Sequence, residues 1–257
     1  MDNFIKEFWE NQAINHTTSH AASWGDNFAI DLEINTIGEY IKEGDLVLDM
    51  GCANGFAALR HLENRKPSKI YGVDYAPSMI KYANKVKNES AEKDKLDFEV
   101  GDILNIKFDD DTFDVVYTTR VIINLPNWKE QLRAIEECIR VAKPGGTVVF
   151  SEAFYEPLVL LNAMRALKQL PPLVEHDFNR YIKKDRLEKY LSDKNLEFEC
   201  NEFSSVYYLG SRFLRELVTN PSDYPGYSNP INELFYDIEK NYSGGGFGIQ
   251  QAYIIKK

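Results

Sequence analysis

The chain has 257 residues, of which 44% are hydrophobic, so it can enclose one large core and its size alone does not require a second domain. Its formal charge of −10 argues against a surface that follows the phosphates of a nucleic acid. Three cysteines without C-x-x-C spacing predict neither a disulfide framework nor a zinc site, and they favour a reducing, cytoplasmic setting. No basic region followed by an apolar run opens the chain, and no segment approaches the ~20 apolar residues of a membrane span. We therefore expect a soluble protein without a nucleic-acid or membrane partner.

Residues 1–44 precede the first predicted strand. Phe4, Phe8 and Trp9 recur at helical spacing, and a second helix is predicted over about 28–42. The polar, turn-prone segment 15–26 separates the two. This pattern predicts a helical flap that packs on the edge of a sheet.

The segment 45–55 has the composition of a buried strand that ends in a tight loop. Its apolar residues are nearly continuous, which is typical of a parallel strand buried on both faces. Gly51 and Gly55 allow the backbone to turn sharply and to approach a ligand closely. The G-x-G-x-x-G spacing of dinucleotide sites is absent, and the carboxylate of Asp49 would repel a phosphate. We expect instead a ligand whose ammonium group hydrogen-bonds to Asp49, directly or through water.

Two further strands are predicted to end on acids. The strand over 69–74 closes on Asp74, 23 residues beyond Gly51, and Rossmann-type folds place an acid on ribose hydroxyls at an offset of ~20 residues. The third predicted strand, over 98–103, contains Asp102 near its end. A helix over 77–88 connects the two strands. Carboxylates are therefore expected along one edge of the sheet.

A fourth strand over 113–120 and a fifth over 147–152 flank a predicted helix over 128–142. Ligands in open α/β sheets collect at the carboxyl ends of the strands, so Thr119 and Arg120 are expected beside the reaction centre. Arg120 points at that centre or lies as a solvated side chain at the loop edge. Glu152 ends the fifth strand at the same edge and either orients a neighbour or takes a proton.

Four motifs stand in order, at Asp49 to Gly55, Val73-Asp74, Gly101-Asp102 and Lys143 to Gly146. Together they resemble the motif series of the class I S-adenosylmethionine-dependent methyltransferases, over about residues 43–152. The chain departs from the pattern at Ala53, where many members have glycine. The resemblance implies an α/β, Rossmann-like, seven-stranded and mostly parallel sheet with helices on both faces and helical lid insertions. It also implies S-adenosylmethionine as cofactor and S-adenosylhomocysteine as product.

Residues for the cofactor follow from this resemblance. They are Trp24, Asp49, Gly51, Ala53, Gly55, Asp74, Tyr75, Met79, Asp102, Ile103 and Thr119. Met79 either packs in the core or covers the adenine. In the methyltransferases that this chain resembles, the N-terminal segment closes over the cofactor and meets the substrate, so His20 and Trp24 are expected to line the site.

A single domain over 1–257 is expected, with the flap at 1–44 and a cofactor-binding core at 45–152. Insertions at 153–196 and 207–247 are predicted to form a substrate lid, because long insertions in a compact domain are usually functional. Arginines and tyrosines concentrate there, and with Arg120 they give the predicted substrate residues, Arg120, Tyr155, Arg165, Arg180, Tyr181, Tyr207 and Arg212. Arginine binds carboxylate or phosphate through its planar fork, so an anionic small molecule is one hypothesis. The alternative is that these arginines pair with nearby acids on the surface.

Methyl transfer is an in-line displacement whose rate depends on alignment in a dry pocket, and a hydroxyl acceptor also needs a base. His16, His20 and His176 are the candidates, with His176 ranked first, whereas His61 is expected to be structural. The candidate catalytic residues are therefore His176, His20 and Glu152. No spaced trio of ligands indicates a metal.

Diffuse features near 161–172 and 229–232 resemble bacterial methyltransferases associated with cell-surface polysaccharide modification. They imply a sugar nucleotide or another phosphorylated precursor as the methyl acceptor, while aromatic natural products and amines remain alternatives. A dehydrogenase and a cofactor-binding regulatory module are competing functions. The first lacks its glycine motif, and the second has less need of an elaborate lid.

Overall fold

The computed structural model describes residues 3–220, 223–224 and 226–257. The ends of the predicted flap (Met1, Asp2) and part of the second insertion (Pro221, Ser222, Pro225) lie outside the described residues. Seven strands form one sheet in the order β3-β2-β1-β4-β5-β7-β6. Their bounds are β1 Leu46–Met50, β2 Lys69–Asp74, β3 Leu96–Val100, β4 Phe113–Thr119, β5 Ala142–Ala153, β6 Glu197–Asn201 and β7 Gln250–Lys256. Only β7 runs antiparallel to its neighbours, so the predicted Rossmann-like fold class is confirmed.

The helices fall into four groups along the chain. The first group, α1 and α2, precedes β1, and the second, α3, α4 and α5, connects the parallel strands. The third, α6 and α7, lies between β5 and β6, and the fourth lies between β6 and β7. The bounds are α1 Asn3–His16, α2 Asn27–Gly38, α3 Phe56–Arg65, α4 Pro77–Glu89, α5 Trp128–Val141, α6 Tyr155–Leu167, α7 Lys184–Asp193, α8 Ser205–Leu209, a π-helix Gly210–Leu214, α9 Arg215–Val218 and α10 Ile231–Glu239.

The strand order places the ligand-binding edge. The chain moves outward from β1 through β2 to β3, and then returns to the other side of β1 with β4 and β5. Parallel crossovers are right-handed, so α3 and α4 cover one face of the sheet and α5 covers the opposite face. The crevice opens at the carboxyl ends of β1 and β4, where the order reverses.

Local chemistry explains where several of these elements begin and end. Asp26 caps α2 by accepting a hydrogen bond from the backbone N–H of Ala29, at 3.2 Å. Pro77 opens α4, where a missing N–H costs little. Val47 and Leu48 of β1 are fully buried, as their continuous apolar run predicts.

Some predicted boundaries are wrong. The third strand ends at Val100, so Ile103 lies in the following loop rather than in the strand. The fifth strand begins at Ala142, because the chain leaves α5 directly into an extended segment through Lys143 to Gly146. No helix among the described residues has both the length and the apolar character needed to cross a membrane.

Candidate functional site

The glycine loop after β1 has a backbone that side chains would obstruct. Gly51 has φ of +92°, and a Cβ there would lie 2.0 Å from Cγ2 of Val121. The backbone N–H of Gly51 donates to the carbonyl of Val73 at 2.7 Å, which ties the loop to the end of β2. Ala53 also adopts a positive φ, of 47°, so this alanine takes a left-handed conformation that glycine adopts more readily.

Asp49, at the end of β1, is a buried carboxyl group with an open hydrogen-bonding position. Its Oδ2 has no partner among the described residues. Burial, helped by the nearby carboxylates of Asp74 and Glu33, raises its pKa to about 7, although the neighbouring hydroxyl of Tyr117 opposes this effect. A buried carboxylate without a donor is costly, so this position favours a cationic or strongly donating group on a ligand.

Asp74, at the end of β2, shapes the same site from the other side. Its two carboxylate oxygens accept hydrogen bonds from the backbone N–H groups of Ala53 and Ala76, each at 2.9 Å. Burial raises its pKa to about 6, and these two backbone donors oppose that effect. The carboxylate thus joins the glycine loop to the loop after β2, and each oxygen keeps a second lone pair for a ligand.

The smaller of two adjoining cavities lies at this edge of the sheet. Of the predicted cofactor residues, Gly51, Ala53, Asp74, Tyr75, Met79, Ile103 and Thr119 line it. The Oγ1 atom of Thr119 is buried without a hydrogen-bond partner among the described residues. Gly55 instead caps α3, and Asp102 accepts a hydrogen bond from the backbone N–H of Leu104 at 2.9 Å, between the lining residues Gly101 and Ile103.

The larger cavity has a volume of about 640 Å³ and a wall rich in aromatic side chains. Its rings belong to Phe8, Trp9, Trp24, Phe178, Tyr181, Tyr208 and Tyr227. Trp24, predicted to bind the cofactor, lies on this wall and not among the residues that line the smaller cavity. Trp9, Ser23, Arg120 and Asn124 line both cavities, so the two share a wall.

Arg120 is the charged residue at this junction. Its φ of 54° is unusual for a residue with a Cβ, and such outliers cluster at functional sites. The guanidinium pairs with the buried carboxylate of Glu33 at 2.5 Å and lies 4.8 Å from the ring centre of Trp24. The side-chain amide of Asn124 donates to the Arg120 carbonyl at 2.6 Å. This placement supports the interpretation in which Arg120 points at the reaction centre, rather than the one in which it is a solvated side chain at the loop edge.

Glu33, which sequence analysis did not single out, holds Arg120 in place. Its carboxylate also accepts hydrogen bonds from Ser151 Oγ and Gln250 Nε2, each at 2.6 Å. Burial raises its pKa, while Arg120 is the strongest influence that lowers it. A charged residue at a helical position otherwise filled by core residues could have signalled such a buried pair.

The structure does not support the prediction that Glu152 takes a proton. Glu152 is fully buried, and its Oε1 accepts hydrogen bonds from Thr118 Oγ1 at 2.7 Å and from the backbone N–H groups of Val121 and Ile122 at 3.1 Å. Its Oε2 accepts from the N–H of Ile123 at 3.3 Å. Burial raises its pKa to about 7. Glu152 lines neither cavity and instead fixes the loop after β4.

The histidines separate into three groups. His176 and His16 line the larger cavity, and the His176 ring lies 5.5 Å from Phe8 and 4.7 Å from Phe178. His20 lies off both cavity walls and packs against Phe56, which argues against its predicted catalytic role. Burial, helped by nearby arginines, lowers the pKa of His61 to about 3, as befits a structural residue.

Most of the substrate residues predicted in the lid line neither of the two cavities. Arg212 and Tyr181 line the larger cavity. Arg165 is buried and donates to the carbonyls of Pro171 and Arg212, and Arg180 donates to the carbonyls of Asp177 and Asn179.

Two tyrosines of the lid that were predicted to bind the substrate also lie away from the cavities. The hydroxyl of Tyr207 donates to Asp26 at 2.6 Å in the interior, and Tyr155 is half-exposed beside Lys183. Neither lines either of the two cavities. Sequence analysis missed several wall residues, namely Asn124, Phe178 and Tyr227, because aromatic and amide residues in loops carry no spacing signal.

Comparisons with known proteins show which family this chain resembles. Residues 41–201 match a family model described as a methyltransferase domain. The erythromycin 3''-O-methyltransferase of Saccharopolyspora erythraea is 31% identical over 112 residues, which are 44% of this chain and 36% of that protein. An uncharacterised methyltransferase of Schizosaccharomyces pombe is 32% identical over 120 residues, 45% of this chain and 42% of that protein. The match thus spans less than half the length of these curated relatives.

Solved structures share the fold. A complex between the Haloferax volcanii Trm112 methyltransferase activator and a methyltransferase gives a TM-score of 0.63 at 17% identity, covering 96% of both chains. The geranyl diphosphate C-methyltransferase of Streptomyces coelicolor gives 0.56 at 15% identity, covering 88% of this chain and 78% of that one. At such identities the likeness shows the fold alone. Because the family model matches more than half of its residues, this chain belongs to the methyltransferase domain family.

Proposed function

We propose that this protein is an S-adenosylmethionine-dependent methyltransferase that acts on a small-molecule acceptor. One observation carries the proposal. The smaller cavity, which is lined by the carboxyl group of Asp74 and by Met50 and Gly51 next to Asp49, shares a wall with a cavity of about 640 Å³ that is rich in aromatic side chains. Two ligands can therefore meet at Arg120 and Asn124, as a transfer between a cofactor and an acceptor requires.

The residues that line the smaller cavity, together with the adjacent Asp49, fit this cofactor. The open Oδ2 position of Asp49 suits the ammonium group of the methionyl end. The carboxylate of Asp74 suits the ribose hydroxyls, and Tyr75, Met79 and Ile103 supply an apolar setting for the adenine. When bound, S-adenosylmethionine supplies a methyl group on a positively charged sulfur, with S-adenosylhomocysteine as the product.

The chain itself orients the acceptor and excludes water. Aromatic side chains from α1 and from the segment after α6 cover the larger cavity, which supports the roles of residues 1–44 as a flap and 153–196 as part of a lid. The second insertion, 207–247, contributes Tyr208, Arg212 and Tyr227 to the same wall. His176, or His16 on the wall of the same cavity, is placed to take the proton of a hydroxyl acceptor.

The aromatic wall favours an acceptor with an apolar or aromatic body, as in many natural products. Relatives named as an erythromycin O-methyltransferase and a norajmaline N-methyltransferase support a small-molecule acceptor whose reacting atom is oxygen or nitrogen. A second candidate is an anionic sugar nucleotide or phosphorylated precursor of surface polysaccharide. Of the lid arginines predicted for it, only Arg212 lines the cavity, which supports this candidate less.

Calorimetry with S-adenosylmethionine, S-adenosylhomocysteine and NAD tests the proposal. Binding of the two sulfur ligands without NAD is expected, whereas binding of NAD alone would indicate a dehydrogenase. Cofactor consumption over phenols, amines and phosphorylated sugars then separates an enzyme from a regulatory module, which binds the cofactor without turnover.

Replacing His176 with Gln tests its role as the base. Turnover of a hydroxyl acceptor is expected to fall about 10²-fold or more, the usual scale of a lost general base, while S-adenosylhomocysteine binds as before. His20→Gln is the matched control because His20 lies off both cavity walls. Equal turnover in the two variants would remove His176 as the base and leave His16.

A further inference from the structure

The end of the larger cavity formed by the lid carries a group of hydrogen-bond donors. Arg212, Tyr181, Tyr208 and Tyr227, here called the Arg212 cluster, all line the cavity. The guanidinium carbon of Arg212 lies 5.0 Å from the ring centre of Tyr208 and 4.8 Å from that of Tyr227. Arg212 belongs to the π-helix Gly210–Leu214, a rare element that is frequent at functional sites.

The charge of Arg212 is already balanced from the protein side. Its Nη2 donates to Oδ2 of the fully buried Asp26 at 2.5 Å. Asp26 also accepts from the hydroxyl of Tyr207 and lines neither cavity. The Nη1 atom of Arg212 donates to Ser211 Oγ at 2.9 Å, and its Nε has no acceptor among the described residues.

Two phenols complete the set of donors. Tyr208 is only 5% exposed, and its hydroxyl has no hydrogen-bond partner in the part of the chain that the structure describes. The hydroxyl of Tyr181 likewise lacks a partner among the described residues. Burial raises the pKa of both groups, that of Tyr181 to about 12, so both keep their protons at neutral pH. Both residues line the cavity, so a ligand oxygen there could accept hydrogen bonds from their hydroxyls.

The surrounding charges disfavour an anion at these donors. Both arginines of the cavity wall, Arg120 and Arg212, are paired with buried carboxylates. Two further acids, Glu175 and Asp177, line the same cavity. A carboxylate or phosphate would therefore add to a surplus of negative charge, whereas an uncharged oxygen gains the hydrogen bonds without that repulsion.

We infer that the Arg212 cluster binds an uncharged oxygen, such as a ketone or lactone carbonyl, on the body of the methyl acceptor. The route from the junction to this end runs over two rings, since Arg120 contacts the Trp24 ring and Trp24 Nε1 donates to the Tyr227 hydroxyl at 3.1 Å. The acceptor is thus placed with its reacting hydroxyl or amine near Arg120 and its carbonyl near Arg212. This inference rests on the proposed function, because it assigns the larger cavity to the acceptor.

Two phenols of nearly equal shape test it. 4-Hydroxybenzylideneacetone carries a methyl ketone where 4-hydroxycinnamate carries a carboxylate. Each is titrated by calorimetry at pH 7 into protein saturated with S-adenosylhomocysteine. The ketone is expected to bind at least about tenfold more tightly than the carboxylate. Tighter binding of the carboxylate, or binding of neither compound, overturns the inference.

A pair of variants locates the binding to the cluster. Tyr208→Phe is expected to weaken the ketone about tenfold and to leave the affinity for 4-propenylphenol, which has no carbonyl, unchanged. Tyr155→Phe is the matched control, because Tyr155 lies off both cavities. Equal loss for both compounds would mean that the phenol only shapes the wall, which overturns the inference. Replacing Arg212 is less informative, because it would leave the buried carboxylate of Asp26 without its ion-pair partner and so destabilise the fold.

The same titrations separate the two proposals. Failure to bind S-adenosylhomocysteine in the first step contradicts the proposed function. Normal binding of that ligand followed by preference for the carboxylate contradicts only the assignment of the Arg212 cluster.

Discussion

Asp49 titrates near neutrality in the folded protein, which makes cofactor binding sensitive to pH. Below its pKa of about 7 the carboxyl group is protonated and cannot form a charge-assisted hydrogen bond with an ammonium group. We expect the affinity for S-adenosylhomocysteine to fall about tenfold between pH 8 and pH 6. Calorimetry at the two pH values measures this, and Asp49→Asn should show weaker binding with little pH dependence. A wild-type affinity that stays constant over this range would contradict the prediction.

The ionised Asp49 is also expected to lower the free energy of unfolding. A carboxyl group whose pKa is raised on folding stabilises the protein only below its unfolded pKa, and that contribution is lost as the pH rises through about 7. Asp49→Asn should therefore increase the free energy of unfolding at pH 8 by about 1–3 kcal/mol. Urea unfolding at pH 8 and pH 4 tests this, because the difference between variant and wild type should largely vanish at the lower pH.

Glu152 is expected to matter through the loop that it holds. Glu152→Ala leaves the N–H groups of Val121, Ile122 and Ile123 without their acceptor, which should destabilise the protein by about 3 kcal/mol or more. Glu152→Gln keeps Oε1, which accepts most of these bonds, and should recover part of both stability and cofactor affinity. Thermal unfolding and calorimetry on the two variants check this order. If Glu152 acted instead as a base, Gln would fold normally and lose turnover as completely as Ala.

At the residue scale, the sequence predicted the positions of those residues whose place depends on the local strand pattern. Asp49, Gly51 and Asp74 lie at strand ends, and the strand pattern alone brings them to one edge. The positions of the lid arginines were harder to predict, because the place of a guanidinium depends on the acid with which it pairs. Arg212 pairs with Asp26, 186 positions away, and no local pattern announces that pair.

At the scale of elements, the cofactor loop and the flap are tied by one side chain. Asn54 is almost fully buried, and its Nδ2 donates to the carbonyls of Thr17 and Ser19 at 2.8 Å and 2.7 Å. The glycine loop, which is proposed to meet the cofactor, therefore also fixes the segment that follows α1. Sequence analysis predicted both elements but not their connection, since an asparagine in a glycine loop looks like an ordinary turn residue.

Replacing Asn54 with Ala should loosen the flap. Losing two buried hydrogen bonds costs about 1–3 kcal/mol, so amide exchange over residues 3–24 is expected to speed up about tenfold or more. Hydrogen-exchange mass spectrometry measures this, with Asn241→Ala as control because its side chain is exposed just after the end of α10. Unchanged exchange in the flap would show that α1 is held by its packing against α4 alone.

At the scale of the whole molecule, ligand binding should be visible as stability. A ligand at 100 times its dissociation constant stabilises the folded state by about 2.7 kcal/mol. For a chain of this size we expect a rise in Tm of about 5–10 °C with S-adenosylhomocysteine and none with NAD. Differential scanning fluorimetry makes the measurement, and an equal shift with NAD would contradict the assignment of the smaller cavity.

The seven-stranded, mostly parallel sheet could be predicted, because the motif series resembles that of a family with this fold. The contents of the larger cavity could not. Its wall is assembled from α1, from the segment after α6 and from the insertion between β6 and β7, which meet only in the folded chain.

The tryptophans give this protein an internal optical reporter. Of its three tryptophans, Trp9 lines both cavities and Trp24 lines the larger one, whereas Trp128 begins α5 outside them. Indole emission responds to the polarity and the charges around the ring, and Trp24 already lies under the guanidinium of Arg120. A Trp128→Phe protein would therefore emit only from the two cavities, so the order in which cofactor and acceptor arrive could be followed by stopped-flow fluorescence without any label.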